Sequence, residues 1–313
     1  MSQDIIVSGM RPTGALHIGH YAAVIRNWVK LQEHHQCFFF IADWHALTGH
    51  YEDLEVIRKH RREYVRGWLA CGLDPQKVHI YQQSLIPEVL YLTQFFLCLT
   101  PPGWADRSPS WKDLKENFQR KLDNLGFYTY PILQAADIAI VRGNKVPVGE
   151  DQVTHLEIAR EIVRKFNRTY GTDLPEPEPL LTPVPKIVGT DGHKKMSSSL
   201  GNTISLQETE KSLQSKLNKL RTDDKREGPD KPGNPDNCTV HDYHKAFSAP
   251  SMVSEVQSRC RAGTISCGEC KKMLGDCMKQ ELMPIAQKMN EITDEYCDQV
   301  LAEGTTKTAQ LIK

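Results

Sequence analysis

Ile5-Ile6-Val7-Ser8-Gly9-Met10-Arg11-Pro12-Thr13-Gly14-Ala15-Leu16-His17-Ile18-Gly19-His20 is the stretch that decides the fold. Ile5 to Ser8 is an apolar run with the character of a strand. Gly9 and Gly14 bracket a turn. His17-Ile18-Gly19-His20 then opens a helix expected from Gly19 to about Gln32, with Ile25, Trp28, Val29 and Leu31 on its apolar side. Two imidazoles and a bare glycine backbone therefore stand at a helix N-terminus, where amide N–H groups and the helix dipole favour a polyphosphate.

Working outward, Cys37 to Ala42 is a continuous apolar run, the mark of a parallel strand covered on both faces. Asp53 is placed to cap a helix that Gly72 stops, and Val78 to Tyr81 is the next strand. This β-α-β-α-β order predicts an α/β fold, a Rossmann-like doubly wound parallel sheet. Such sheets bind ligands outside the carboxyl ends of their strands, so Gly9–His20 and Asp43–His45 should line a site. From Ile86 to about Arg142 the pattern is helical, broken at Pro101-Pro102-Gly103. Lys145 to Gly149 is short and extended or irregular, and Asp151 to Phe166 is an amphipathic helix. Pro175 to Pro185 is Pro-rich. Thr222 to Asn237 is polar and rich in Pro and Gly, as expected of a loop or linker. A small all-helical region follows. The expected division is 1–205 for the sheet domain with a helical dimer-interface insertion, and 206–313 for the helical region, whose last helices can pack back on the first domain.

Composition sets bounds. The chain has 313 residues with 39 basic and 39 acidic side chains, so its formal net charge is zero. A nucleic-acid partner would be held by local basic patches, there being no global field to attract it. No apolar run approaches the roughly 20 residues of a membrane span. The first residues carry no basic, apolar or cleavage pattern of a secretory signal. These features predict a cytoplasmic protein with no membrane partner. Of nine cysteines, Cys37, Cys71 and Cys98 are expected as buried free thiols. Cys238, Cys260, Cys267, Cys270, Cys277 and Cys297 crowd the last quarter, where an intracellular chain does not use them as disulfides.

A second phosphate-handling element lies past the middle: Lys194-Lys195-Met196-Ser197-Ser198-Ser199, flanked by Gly189, Gly192 and Gly201. Two lysines and three hydroxyls on a glycine-flanked loop can close on a pyrophosphate. No GxxxxGK[ST] segment occurs, so neither element is a Walker A loop. Either motif alone is weak evidence; both, in this order and separation, are strong.

In its GMRPTGALHIGH, ADWHALT, YPILQAADI, VPVGEDQ and KMSSS segments the chain resembles the class I aminoacyl-tRNA synthetases. Within them it resembles the bacterial tryptophanyl type, over nearly its whole length. The resemblance implies activation of L-tryptophan by ATP with Mg²⁺, transfer to tRNA(Trp), a helical anticodon-binding region and a homodimer. It implies catalytic roles for His17, His20 and Lys195. For ATP it implies Arg11, Gly19, His20, Gly149, Asp151 (at the ribose), Lys194, Lys195, Met196, Ser197 and Ser199. Around tryptophan it implies Val7, His45, Tyr130, Gln134, Asp137, Val146, Val148 and Gln152, the last at the ammonium group. Glu150 and Asp151 also suit the first turn of a helix as ordinary caps. The tyrosyl relatives usually carry Gly-Gly where this chain has Gly149-Glu150, and a tyrosine near the end of the first strand, where this chain has Val7.

The indole N–H can only donate, so a specific pocket needs an acceptor in apolar walls. On a helix Leu133, Gln134 and Asp137 project near one face, and Asp137 supplies that acceptor. His45 is placed to stack on the indole edge, or is a satisfied histidine at a strand end. Two departures stand out. Ser198 replaces the second lysine of the usual KMSKS, leaving Lys194 or Lys195 to meet the pyrophosphate. Gln134 stands where many members have methionine. Lys211, Lys216, Lys219, Arg221, Lys225 and Arg226 form a solvated helix face or a tRNA contact.

Cys238, Cys260, Cys267 and Cys270 follow the spacing C-x21-C-x6-C-x2-C. Some members of the resembled family hold a [4Fe–4S] cluster on a comparable set. A zinc site, with His241 and His244 available as ligands, and plain free thiols are the alternatives, and Cys277 could substitute as fourth ligand of the centre. Lys271 and Lys272 are placed for an anticodon phosphate. Rival functions are a tyrosine-specific relative, a small-molecule nucleotidylyltransferase and a non-catalytic tryptophan-binding paralogue.

Overall fold

A computed structural model describes residues 3–116, 122–181, 187–193 and 196–312, with the side chains at 115, 116, 151 and 199 left aside. Contacts divide the chain into two compact units. The first comprises residues 1–14, 28–182 and 293–313; the second comprises 15–27 and 183–292.

The first unit is built on a parallel five-stranded sheet of order β3-β2-β1-β4-β5. Its strands are β1 (Ile5–Met10), β2 (Gln36–Ile41), β3 (His79–Gln82), β4 (Lys145–Val148) and β5 (Glu178–Leu181). β2 is buried along nearly its whole length, as its unbroken apolar sequence requires. Strand order reverses between β1 and β4, and the crevice at their carboxyl ends is where such sheets bind ligands. β5 lies inside the Pro-rich stretch, where composition gave no strand signal.

The chain leaves this unit after β1 and forms α1 (Ile18–His20), a π-turn over Tyr21–Ile25 and α2 (Arg26–Leu31). Back in the first unit, Trp28 stacks on Phe39 at 4.2 Å and meets Trp68 edge-on at 5.2 Å. α3 (Asp43–His50) follows β2 directly, and α4 (Leu54–Ala70) ends at Gly72, whose φ is +108°. Asp53 precedes α4 but its side chain makes no capping bond, correcting that expectation. The helical stretch resolves into α5 (Glu88–Leu99), α6 (Pro102–Ala105), α7 (Pro109–Glu116) and α8 (Leu125–Ile140). α9 (Val153–Tyr170) follows a short 3-10 turn, Glu150–Gln152. The last helix, α14 (Asp294–Ile312), also belongs to this unit. Gly304 makes that packing possible: a Cβ there would lie 1.9 Å from the Ile80 carbonyl oxygen of β3. Arg61 and Arg62 of α4 bind Asp298 of α14, and Arg66 binds Asp294.

The second unit holds α10 (Glu210–Asn218), α11 (Thr239–Phe247), α12 (Pro250–Arg261) and α13 (Cys267–Glu291). No helix of the described residues is long and apolar enough to cross a membrane. Of the three scattered thiols only Cys37 is buried; Cys71 is half-buried and Cys98 exposed, correcting the expectation for both. Leu90, Tyr91 and Phe95 of α5 are exposed, and Cys98 lies in the last turn of the same helix.

Candidate functional site

The expected tryptophan-side residues fall in the first unit. Val7, Val146 and Val148 belong to one apolar cluster with Phe38, Phe40 and Tyr81. Asp137 lies in the last turns of α8 and is 2% exposed. Its carboxylate accepts from His45 Nε2 at 2.8 Å and from Gln83 Nε2 at 2.8 and 2.9 Å. Burial pushes its pKa up, against the opposing pull of His45 and Gln83. A buried carboxylate with this many donors is neither a helix cap nor a surface charge.

His45 is turned to Asp137 and packs edge-on against Tyr130, with ring centroids 6.1 Å apart. Its ring is thus committed to the carboxylate. Tyr130 and Gln152 meet at His155, which is 1% exposed. The His155 Nε2 lies 2.9 Å from the Tyr130 hydroxyl and 3.0 Å from Ser108 Oγ; Nδ1 lies 2.8 Å from Gln152 Oε1. Gln152 can only accept through that oxygen, so Nδ1 carries the proton and the single lone pair of Nε2 accepts from one hydroxyl, that of Tyr130 also having Ser110 Oγ at 3.0 Å to donate to. His155 thereby fixes the amide of Gln152. Sequence reasoning missed both His155 and Gln83; the signal of His155 was its place beside Leu156 and Ala159 on the buried side of α9, and Gln83, between Gln82 and Ser84, gave none. Gln134 is half-buried, and Gly149 is the N-cap of the 3-10 turn that carries Asp151 and Gln152. The Asp151 side chain lies outside the described residues. Arg11 is exposed, and its charge is felt by the Tyr64 phenol.

The phosphate-side motifs fall together in the second unit, far apart in sequence. The Ile18 amide donates to the Ile204 carbonyl at 3.0 Å, and His17 pairs with Ser205 in an antiparallel bridge. Ser198 Oγ donates to the Ala15 carbonyl at 3.0 Å. The residue that departs from the usual loop sequence therefore fastens the loop to the segment before His17. Met196 is buried, and its sulfur would lie 3.5 Å from a Cβ on Gly19. That Cβ would also lie 2.9 Å from the His17 ring, so only glycine fits beneath the imidazole. Asn202, 4% exposed, ties the loop internally: Oδ1 accepts from the Ser197 amide and Nδ2 donates to Asp191, both at 2.8 Å. Sequence reasoning missed Asn202 as well. Lys194 and Lys195 lie outside the described residues, as does the side chain of Ser199.

His17 and His20 stack at 3.7 Å. His17 Nδ1 accepts from the Gly19 amide at 3.2 Å, and His20 Nδ1 accepts from the His17 amide at 3.4 Å. A backbone N–H can only donate, so each Nδ1 is unprotonated and each Nε2 carries the hydrogen. The capping box thus sets both rings as Nε2–H donors, the form that meets a phosphate oxygen.

Of the basic run, Lys216 binds Glu208, Arg221 binds Asp224, and Arg226 donates to the carbonyls of Pro229, Lys231 and Ile265. Lys211, Lys219 and Lys225 stay exposed. Arg226 NH1 also approaches Cys267 Sγ at 3.5 Å. The polar segment 222–237 is thereby folded around a guanidinium and is no free linker. Burial raises the thiol pKa values of Cys238 and Cys260 and pushes Cys270 up to about 12. Cys238 also feels Cys267; Cys260 feels Cys238 and Cys267; Cys270 feels all three others. The four are neighbours, and Cys277 is not among the charges acting on them. His244 Nε2 lies 3.5 Å from Cys270 Sγ. Among the described residues no group of three or more His, Cys, Asp or Glu side chains could hold a metal ion as placed.

The model of the family described as tRNA synthetases class I (W and Y) matches residues 2–282. The chain is 46% identical to the tryptophan–tRNA ligase of Thermotoga maritima, covering 98% of this chain and 94% of that protein. It is 39% identical to the enzyme of that name from Aquifex aeolicus, covering 98% and 96%. Among solved structures it is similar to a tryptophanyl-tRNA synthetase from Campylobacter jejuni complexed with ADP and tryptophan. That match has a TM-score of 0.84 and 32% identity, and covers 98% of this chain and 96% of the other.

Proposed function

The chain belongs to the class I tRNA synthetases for tryptophan and tyrosine, and from that premise we propose how its residues carry out the work of a tryptophan–tRNA ligase. The activity joins L-tryptophan to ATP, giving tryptophanyl-adenylate and pyrophosphate, and then esterifies tRNA(Trp). The observation that carries the amino-acid side is Asp137, a buried carboxylate in apolar walls, suited to a ligand with one side-chain donor. Transfer of labelled tryptophan, and not tyrosine, to tRNA in the presence of ATP and Mg²⁺ tests the reading; a tyrosyl product would overturn it.

The tryptophan carboxylate attacks the α-phosphorus of ATP in line. It is already ionised at neutral pH, so no general base is needed. The protein contributes position and charge. Gln152, its amide fixed by His155, accepts from the ammonium group. Val7, Val146 and Val148 flank the indole, and Tyr130 and Gln134 close its surroundings. The Nε2–H groups of His17 and His20 meet phosphate oxygens. Gly149 and Asp151 take the ribose side, and Arg11, Met196, Ser197, Ser199 and Lys194 support the triphosphate. Bound Mg²⁺ supplies charge neutralisation to the pyrophosphate, and Lys195 stabilises the same group as it departs. Lys195→Ala should lower kcat of activation about 10²–10³-fold while tryptophan Kd moves little, as for removal of a transition-state donor. A change confined to the KM for ATP would make the loop a passive binding element.

The functional division runs as 1–205 for catalysis and 206–313 for the anticodon, in the cytoplasm where tRNA is charged. A homodimer has support in the exposed apolar face of α5 and the start of α8: Leu90, Tyr91 and Phe95, with Leu125 79% exposed. Lys271 and Lys272 border a cavity of about 520 Å³ with Lys279, suited to a tRNA phosphate.

Cys238, Cys260, Cys267 and Cys270 hold a [4Fe–4S] cluster in this reading. Burial raises the pKa values of Cys238, Cys260 and Cys270, and such thiols become good ligands only with a cationic centre between them. The four thiols would supply the cluster's ligands, and the bound cluster would hold this part of the chain together. The Arg226 guanidinium would offset the negative charge. The centre's role is structural, since aminoacylation moves no electrons. Anaerobically purified protein should be brown with about four irons per chain. A colourless preparation with one zinc per chain would replace the cluster by zinc, and neither metal would reject both.

A further inference from the structure

Gln83 is 0% exposed and sits in a short 3-10 turn, Gln83–Leu85, directly after β3. Its Oε1 accepts from the amides of Trp44 and His45, at 3.1 and 3.4 Å. These are first-turn amides of α3, which have no carbonyl partner within the helix. The N-cap of that helix, Ala42, has no side chain to satisfy them. Gln83 therefore caps α3 from another element. The same contact fixes the amide's orientation: backbone N–H groups only donate, so the oxygen must face α3 and the nitrogen must face away. That nitrogen lies 2.8 Å from Asp137 Oδ1 and 2.9 Å from Oδ2.

A carboxylate offers about four lone-pair positions. Among the described residues Oδ2 accepts from His45 and Gln83, and Oδ1 accepts from Gln83 alone. One position is left, on Oδ1. We propose that Gln83 is a specificity-determining positioning residue: through its hold on the start of α3 it keeps the Asp137 carboxylate turned so that Oδ1 alone is open to the indole N–H. The proposal rests on the reading of Asp137 as the indole acceptor and adds the atom that accepts and the residue that aims it. Gln83 does not touch the substrate.

Two substitutions test it, each assayed with tryptophan and with its benzothienyl isostere, which has sulfur in place of the N–H. In Gln83→Met the KM for tryptophan should rise at least tenfold with kcat within about threefold, while the KM for the isostere stays put. A merely structural role would move both substrates alike. Gln83→Glu keeps an oxygen for the α3 amides but places a second carboxyl against Asp137. The other groups facing this carboxyl are His45 and Asp43 of α3 and Tyr81 of β3. When the two carboxyls share a proton, the glutamic acid can donate as the amide did; when that proton is lost they repel. The KM for tryptophan in Gln83→Glu should therefore be near normal at low pH and climb as pH rises. The native enzyme should show no such climb, and the isostere none in either. Asp137→Leu, which keeps much of the shape but has no acceptor, separates the two claims. If it keeps the native preference for tryptophan over the isostere, the acceptor reading itself fails. If it loses that preference while both Gln83 variants keep it with a flat pH profile, the acceptor stands and the Gln83 proposal is overturned.

Discussion

Asp137→Ala should raise the KM for tryptophan and weaken the rejection of phenylalanine about 10²-fold or more. A hydrogen bond to a charged acceptor is worth about 1.5–3 kcal/mol, and sites built around such a bond discriminate by up to about 10⁴–10⁵. The variant should also be less stable, because the Gln83 amide and the His45 ring lose their acceptor in a buried place. Thermal melting beside kinetics with tryptophan, tyrosine and phenylalanine separates the two effects. Unchanged specificity in a folded variant would remove Asp137 from the pocket.

His17→Ala should lower kcat for adenylate formation about 10²–10³-fold, the usual cost of removing one preorganised donor. The side chain has two jobs in the proposed mechanism: Nδ1 caps the helix at the Gly19 amide, and Nε2–H is to meet phosphate. Asparagine is a preferred N-cap, so His17→Asn should restore thermal stability. Its shorter amide should restore only part of the rate. If stability and rate return together, the imidazole acts through the cap and not through the phosphate.

The sheet was legible because β1, β2 and β3 are apolar runs separated by helices with clear periodicity. β5 was hidden because its residues, Glu178-Pro179-Leu180-Leu181, are short and proline-bearing on an edge, where pairing comes from the neighbouring strand. α3 was hidden because Asp43–His50 mixes buried and exposed positions with little amphipathic pattern, and its cap arrives from Gln83. The two phosphate motifs were legible as words, but their joining runs through the Ile18 amide on the Ile204 carbonyl and the Ser198 hydroxyl on the Ala15 carbonyl, pairings that composition does not encode. The same holds for Gln83, Asn202 and His155, which act by orienting other polar groups. The four cysteines were legible by spacing, while Arg226 inside a polar loop looked like any solvated charge.

Amino-acid-dependent ATP–pyrophosphate exchange, run with each standard amino acid, is the most direct measurement. The account predicts exchange with tryptophan, at least a thousandfold weaker with tyrosine and phenylalanine, and none without an amino acid. Exchange in the absence of any amino acid would indicate a small-molecule nucleotidylyltransferase, and tryptophan binding without exchange would indicate a non-catalytic binding protein. Either would contradict the account.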